Sequence, residues 1–180
     1  SKFRVLPRNF THMEGMEPAL ETEEIVVGTK DMNFENYLKA RKLHLLVSIF
    51  YNGKCFAGFF KLIDECELDL AEFVVNLSEA FMANPTMQGL LKNFMAETQL
   101  ELFESEAAIL EYFKKKENFE KLEKGLVGAN LLQKYTSIAY MDYPEVLTQV
   151  ITEAAISWNP QDPVYLKKSE NLNKYYQLSF

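Results

Sequence analysis

Four polar side chains recur at helical spacing around position 44: Tyr37, Arg41, His44 and Tyr51. Residues three, four or seven positions apart share one face of an α-helix. The residues on either side of His44 are leucines, and polar groups within an apolar helix need polar partners. We therefore predict that these four residues form a functional surface. The alternative interpretation is that His44 is a core histidine with one satisfied hydrogen bond.

Three carboxylates also align at helical spacing, Glu97, Glu101 and Glu104. Two neighbouring carboxylates can act as general acid and base when burial separates their pKa values. Asn93 shares this face, however, and no apolar run encloses the acids. The pattern therefore predicts a solvated helix face, and we predict no catalytic residue in the chain.

The charge of the chain argues against a nucleic-acid partner. The net charge is −7, and the densest basic run, residues 114–116, is surrounded by glutamates. Such a run is typical of a solvated helix end. Gly125 and Gly128 match the Gly-x-x-Gly spacing of the phosphate-clamping loop of KH domains, but their neighbours are not basic. We interpret Gly125 as the residue that follows a helix and Gly128 as part of a loop.

Metal and cofactor motifs are missing from the sequence. It contains no phosphate-binding glycine loop, no dinucleotide fingerprint and no His-Glu-x-x-His. Cys55 and Cys66 are eleven positions apart, which fits neither a Cys-x-x-Cys pair nor a zinc pattern. We predict two buried thiols, no metal site and no bound cofactor. No apolar run is long enough to span a membrane and no signal peptide is recognisable, so we expect a cytoplasmic protein.

Helical periodicity begins after Asn33, which can cap the first helix. The pattern predicts a mainly α fold, an irregular multi-helix bundle with one or two short N-terminal strands. For residues 164–180 the pattern favours a helix from Ser169 followed by an extended end. The eight helices predicted before this tail cover about 34–52, 56–66, 70–83, 86–103, 106–116, 118–125, 129–141 and 144–158.

The first thirty residues differ from the rest of the chain. Residues 3–10 favour a short strand broken by Pro7, and residues 23–29 favour a second strand that ends at Gly28. His12 lies in the intervening loop and is expected to be exposed. Two strands are not a stable sheet on their own, and the remaining sequence supplies no partner sheet. We therefore predict two parts: residues 1–32, a linker and strand leaving an absent upstream domain, and residues 33–180, a helical C-terminal domain.

Two sequence runs resemble a known protein family. Residues 22–32 read TEEIVVGTKDM, and residues 37–52 read YLKARKLHLLVSIFYN. Together they resemble the region that follows the catalytic barrel in cobalamin (B12)-binding-domain radical SAM proteins. Residues 101–106 (ELFESE) and 128–135 (GANLLQKY) are also similar to that region. The resemblance covers most of the chain. The matching sequence runs are typical of the structure of that region and contain no catalytic or cofactor-binding motif.

The resemblance implies a longer parent protein. Such a parent has a cobalamin-binding domain, a barrel with a [4Fe–4S] cluster and S-adenosylmethionine, and a helical C-terminal region. No position of this chain matches the family's residues that bind the iron–sulfur cluster or cobalamin. The strand at 23–29 would leave the upstream barrel of the same polypeptide, and the helices would lie beside that barrel and help enclose its substrate. The parent would be a methyltransferase or another oxidoreductase-like radical SAM enzyme, and the chain could also form a homo-oligomer.

Two other functions remain open from the sequence. A free-standing helical protein-interaction module predicts an exposed aromatic patch. A small helical enzyme using Glu97, Glu101 or His44 predicts a closed pocket with strongly shifted titration.

Overall fold

The computed structural model describes residues 1–11 and 19–179, and within them the chain is mainly α-helical, as predicted. Two strands come first: β1 (Lys2–Thr11) and β2 (Ala19–Gly28). Nine α-helices follow in the described residues, with a π-helical turn at Ser48–Asn52 after the first of them. The helices are α1 (Phe34–Val47), α2 (Ala57–Glu65), α3 (Leu70–Ala83), α4 (Pro85–Leu100), α5 (Glu106–Phe113), α6 (Lys116–Glu123), α7 (Leu131–Asp142), α8 (Pro144–Trp158) and α9 (Pro163–Ser179).

The chain forms two compact units. The first consists of Ser1–Arg41 with Phe94–Leu131, and the second of Lys42–Asn93 with Leu132–Phe180. This division does not coincide with the boundary predicted at residue 32, because the N-terminal strands group with residues that follow Phe94. Whether an upstream domain precedes the chain stays a prediction.

The first unit is built on an antiparallel hairpin of β1 and β2. The expectation that the two strands cannot form a sheet without a partner sheet was wrong, because in the described residues they pair with each other alone. Pro7 does not end β1. The pairing instead shifts register between Pro7 and Asn9, because proline has no N–H to donate to the ladder. Val5 also exchanges two 2.9 Å backbone hydrogen bonds with Phe103.

A small apolar cluster stabilises this hairpin. Val5 of β1 is buried together with Ile109 and Phe113 of α5 and Leu122 of α6. A two-stranded sheet in water is marginal, and helices that cover its apolar face supply the burial that it lacks. This cluster explains how the hairpin is held without a further strand. The partly buried side chains around the cluster are Phe10, Leu20, Phe103, Phe119 and Val127.

The second unit is a helical core arranged around α8, which contacts α3 and α9. Buried aliphatic residues of α8 and the buried apolar stripe Phe73, Leu77 and Phe81 of α3 form part of this core. The expectation of an extended C-terminal end was wrong, because α9 is one continuous helix. Asp162 begins it, since its carboxylate accepts hydrogen bonds from the backbone N–H groups of Val164 and Tyr165 at 2.8 and 3.1 Å, as an N-cap residue does.

Candidate functional site

Arg41 is the most unusual of the predicted surface residues. Asn33 caps α1 by accepting the Asn36 backbone N–H at 2.8 Å, and Arg41 lies two turns into this helix. The Arg41 guanidinium carbon lies 5.4 Å from the centroid of the Phe94 ring of α4. Its side chain is half-buried, and its Nε is fully buried with no hydrogen-bond partner in the described residues. A buried N–H donor of this kind lowers the stability of the fold unless an acceptor forms a hydrogen bond with it.

Tyr37 lies one turn before Arg41 on the same helix. It is half-buried, and its ring stacks on Phe34 with centroids 6.0 Å apart. Burial raises the pKa of the Tyr37 hydroxyl, and the positive charges of Arg41 and Arg8 oppose that rise. The hydroxyl therefore stays protonated at neutral pH and can donate a hydrogen bond.

Thr98 is the residue that sequence reasoning missed. It lies one turn after Phe94 on α4 and is only 4% exposed, and its hydroxyl has no hydrogen-bond partner in the described residues. Its position in the apolar stripe, four residues after Phe94, was the available signal. We call Tyr37, Arg41, Phe94 and Thr98 the α1–α4 polar face.

The three aligned carboxylates do not form a single solvated face. Glu104 is exposed and pairs with Arg4 at 3.4 Å, whereas Glu97 is half-buried and Glu101 is only 8% exposed. The prediction of a solvated face is therefore wrong for Glu101. Its carboxylate accepts the Gly128 backbone N–H at 3.1 Å, a contact between distant segments that the sequence does not reveal.

The same contact explains the Gly-x-x-Gly segment. Gly128 has a φ of +79°, and a Cβ there would lie 3.1 Å from a Leu122 methyl carbon and 3.3 Å from the Pro7 carbonyl oxygen. Its N–H already binds a carboxylate of the chain itself. This arrangement fits the interpretation of residues 125–128 as a structural loop rather than as a phosphate clamp.

The other two residues of the predicted stripe, His44 and Tyr51, belong to the second unit. His44 is exposed, so the alternative of a core histidine is wrong. Tyr51 is 49% exposed and contacts the Phe60 ring edge-on, with centroids 5.1 Å apart. It falls in the π-helical turn, whose longer hydrogen-bonded ring does not keep the α-helical register. His12 lies outside the described residues.

The π-helical turn has its own polar contacts within the second unit. The Tyr140 hydroxyl donates to the Ile49 carbonyl, and the Thr136 hydroxyl lies 3.1 Å from the Ser48 hydroxyl. Burial, followed by a hydrogen bond and the charge of Cys55, raises the pKa of Tyr140. A Cβ on Gly53 would clash with the Tyr140 hydroxyl, which explains why glycine follows the turn. Contrary to prediction, Cys55 is exposed, and Cys66 is half-buried.

The second unit also has a surface groove between α2 and α9. Its volume is about 340 Å³. Glu65 at its edge pairs with Lys61 at 3.6 Å and with Lys168 at 3.5 Å, so one carboxylate serves two lysines and the edge keeps a positive charge. The lining residues are Gly58, Lys61, Leu62, Glu65, Lys168, Asn171 and Leu172.

No cluster of three or more potential metal ligands occurs within residues 1–11 and 19–179. Over the same described residues, no single helix is long and apolar enough to cross a membrane. Two consecutive helical segments, Phe34–Asn52 and Ala57–Glu65, reach the required length and apolar composition only when they are taken together. The chain bends by 87° between them.

Comparison with known proteins identifies no relative. The chain matches no protein-family model, no curated protein and no solved structure.

Proposed function

We propose that this chain is the helical C-terminal accessory region of a cobalamin-dependent radical SAM enzyme. The observation that carries the proposal is the resemblance of residues 22–32 and 37–52 to the region after the barrel of such proteins. These runs include most of β2, most of α1 and the π-helical turn. The α1–α4 polar face lies partly on them, through Tyr37 and Arg41.

The hairpin gives this proposal a physical basis. In the described residues β2 pairs with β1 alone, so its other edge offers backbone donors and acceptors to a neighbouring element. In the proposed parent that element belongs to the upstream barrel of the same polypeptide. The helices then lie beside the barrel and help enclose the substrate, in a cytoplasmic protein.

The cofactors of the parent do not belong to this chain. A radical SAM cluster is held by the three thiolates of a Cys-x-x-x-Cys-x-x-Cys motif, and this chain has only two cysteines, eleven positions apart. The [4Fe–4S] cluster, S-adenosylmethionine and cobalamin are therefore assigned to the upstream domains, and the chain itself is not the catalyst.

The test is to recover the native polypeptide with an antibody against this chain and to map its peptides by mass spectrometry. The expected result is one covalent chain that continues upstream through Cys-x-x-x-Cys-x-x-Cys and that contains iron, sulfide and cobalamin after anaerobic purification. A native polypeptide without that motif and without iron would overturn the proposal.

A free-standing interaction module is the second candidate. The observation that favours it is the exposure of Tyr175 and Leu178 on α9, at 63% and 90%. Changing both residues to Ser should then dissociate the native complex without lowering Tm, because neither side chain is buried. A native complex that survives this double change contradicts the module hypothesis.

A further inference from the structure

The surface groove between α2 and α9 has an apolar floor and a polar edge. Its volume of about 340 Å³ lies at the lower end of the range of roughly 300–1,000 Å³ that is typical of small-molecule sites. Leu62 is buried and Leu172 is half-buried, so these apolar side chains form the floor. We call this region the α2–α9 groove. The polar residues that line it are all exposed: Lys61, Glu65, Lys168 and Asn171.

The two ends of the α2–α9 groove differ in their chemistry. At one end, a Cβ on Gly58 would lie 2.8 Å from a Leu172 methyl carbon, and the Gly58 N–H donates to the Tyr176 hydroxyl at 3.0 Å. At the other end, Glu65 contacts Lys168 at 3.5 Å. Gly58 and Glu65 are separated by seven positions of α2, a rise of about 10 Å, which is close to the length of an extended eight-carbon chain.

The charged end keeps an excess of positive charge. The carboxylate oxygens of Glu65 lie 3.6 Å from the Lys61 Nζ and 3.5 Å from the Lys168 Nζ. Both distances exceed the separation of about 2.7–2.9 Å in a well-formed charge-assisted hydrogen bond, and the two lysine side chains are 76% and 48% exposed. Exposed ion pairs of this kind contribute little stability. Both lysines can therefore turn to a second anion while their aliphatic stems stay along the apolar floor.

We propose that the α2–α9 groove binds a small amphipathic anion, a carboxylate that carries an unbranched apolar chain of medium length. The chain lies over Leu62 and Leu172 and points towards Gly58, because burial of its methylene groups favours binding. The carboxylate lies between the ammonium groups of Lys61 and Lys168. A cation would be repelled at this end, and a carboxylate without a chain would leave the apolar floor uncovered.

This inference does not rest on the proposed function, because it concerns binding by this chain alone. A failure to find the radical SAM parent would leave it standing. Conversely, a chain whose α2–α9 groove binds no such anion could still be the accessory region of such an enzyme.

The experiment is a titration of the full chain, carrying ¹³C-labelled leucine methyl groups, with sodium octanoate. Sodium acetate has the charge without the chain, and octan-1-ol has the chain without the charge, so these two compounds are the references. The Leu172 methyl resonances are identified as those that disappear in Leu172→Met. We expect octanoate to shift them saturably and to bind more tightly than either reference. Hexanoate should bind up to about fifteenfold more weakly than octanoate, since each buried methylene strengthens binding about fourfold.

Four variants test the assignment of the charged end. Lys61→Gln and Lys168→Gln should each weaken octanoate binding about two- to fivefold, as the loss of one exposed ion pair does. Glu65→Gln should strengthen it by a similar factor, because the competing carboxylate is removed. Lys174→Gln removes an exposed charge of α9 that does not line the groove, and it should bind as the unaltered chain does. All four positions are exposed, so the variants should fold as the unaltered chain does.

Three results would overturn the proposal. The first is a set of Leu172 methyl resonances that octanoate moves no more than acetate does. The second is octanol binding as tight as octanoate binding, because the lysines would then play no part. The third is binding that Lys174→Gln weakens as much as Lys168→Gln, or that Glu65→Gln weakens, because neither result fits an anion held at this end of the groove.

Discussion

The two units differ in how their apolar cores are built. In the first unit, Val5 meets Phe103 by backbone hydrogen bonds and meets Ile109, Phe113 and Leu122 by packing. In the second, helices present apolar stripes at regular spacing, such as Phe73, Leu77 and Phe81 of α3. The first unit therefore depends on one small cluster between distant segments, and the second on many buried residues along its helices.

The largest effect is expected from removing a core aromatic ring. Phe73 is fully buried, with ring contacts to Phe60 and Trp158. Phe73→Ala should lower the free energy of unfolding of the second unit by about 3–5 kcal/mol, through lost burial and the cavity left behind. Phe113→Ala should cost the first unit less, about 3 kcal/mol, at the lower end of that range, because Phe113 is 6% exposed and its cluster is small.

Urea unfolding measures both losses, and amide exchange shows in which unit protection falls. Val75→Ala on α3 is the matched control, because Val75 is 59% exposed and should change stability by less than about 0.5 kcal/mol. Equal losses from Phe73→Ala and Phe113→Ala would contradict the contrast between the two units.

The same contrast explains how far the sequence predicts this fold. The apolar stripes and the caps at Asn33, Asp69 and Ser105 are local signals, and the structure places helices after all three. The pairing of β1 with β2 is non-local, because it joins residues as far apart as Lys2 and Gly28. Nothing in the periodicity of either strand specifies its partner.

The candidate site was predicted only in part, for a similar reason. Tyr37 and Arg41 were found because they share a helical face, but their partners on α4 depend on how two helices meet. Thr98 was overlooked, because threonine beside Glu97 is typical of an exposed position. The π-helical turn that moves Tyr51 out of register is associated with a Tyr140 contact 91 positions away, which no local pattern reports.

The second prediction concerns Tyr165, a fully buried tyrosine of the second unit. Its hydroxyl makes no hydrogen bond of acceptable geometry in the described residues. Burial raises its pKa from 10.0 to about 12, the nearby Ser169 hydroxyl opposes this rise, and Cys66 adds to it. The folded state therefore keeps the proton more tightly, so its stability is complete below pH 10.0 and declines as the pH rises to about 12.

Tyr165→Phe should remove that decline, which amounts to about 2 kcal/mol for a shift of this size. At neutral pH the variant should be as stable as the unaltered chain or about 1 kcal/mol more stable, because a buried hydroxyl without a partner is lost. Chemical unfolding at a series of pH values measures both effects. A decline of the same size in Tyr165→Phe would assign it to another group, such as Tyr140, whose pKa is also raised.

The third prediction concerns Gly128 in the first unit. Its φ of +79° and its close contacts with Leu122 and Pro7 leave little room for a side chain. Gly128→Ala should cost about 1–2 kcal/mol from the backbone conformation and should weaken the contact with Glu101. Thermal unfolding measures the loss, and loss of amide protection at Gly128 locates it. An unchanged Tm would contradict the expected cost of a side chain at this positive φ.

The smallest effect is expected at Gly89, in the second unit, and it has the opposite sign. Gly89 lies inside α4, and a Cβ there would meet no atom within 4 Å. Gly89→Ala should therefore stabilise the chain by about 0.5–1 kcal/mol, since alanine loses less backbone entropy in a helix. The two glycine variants differ only in local geometry, so their Tm shifts should be opposite. If Gly89→Ala also lowers Tm, the exposed face of α4 at this position must contact something that the described residues do not include.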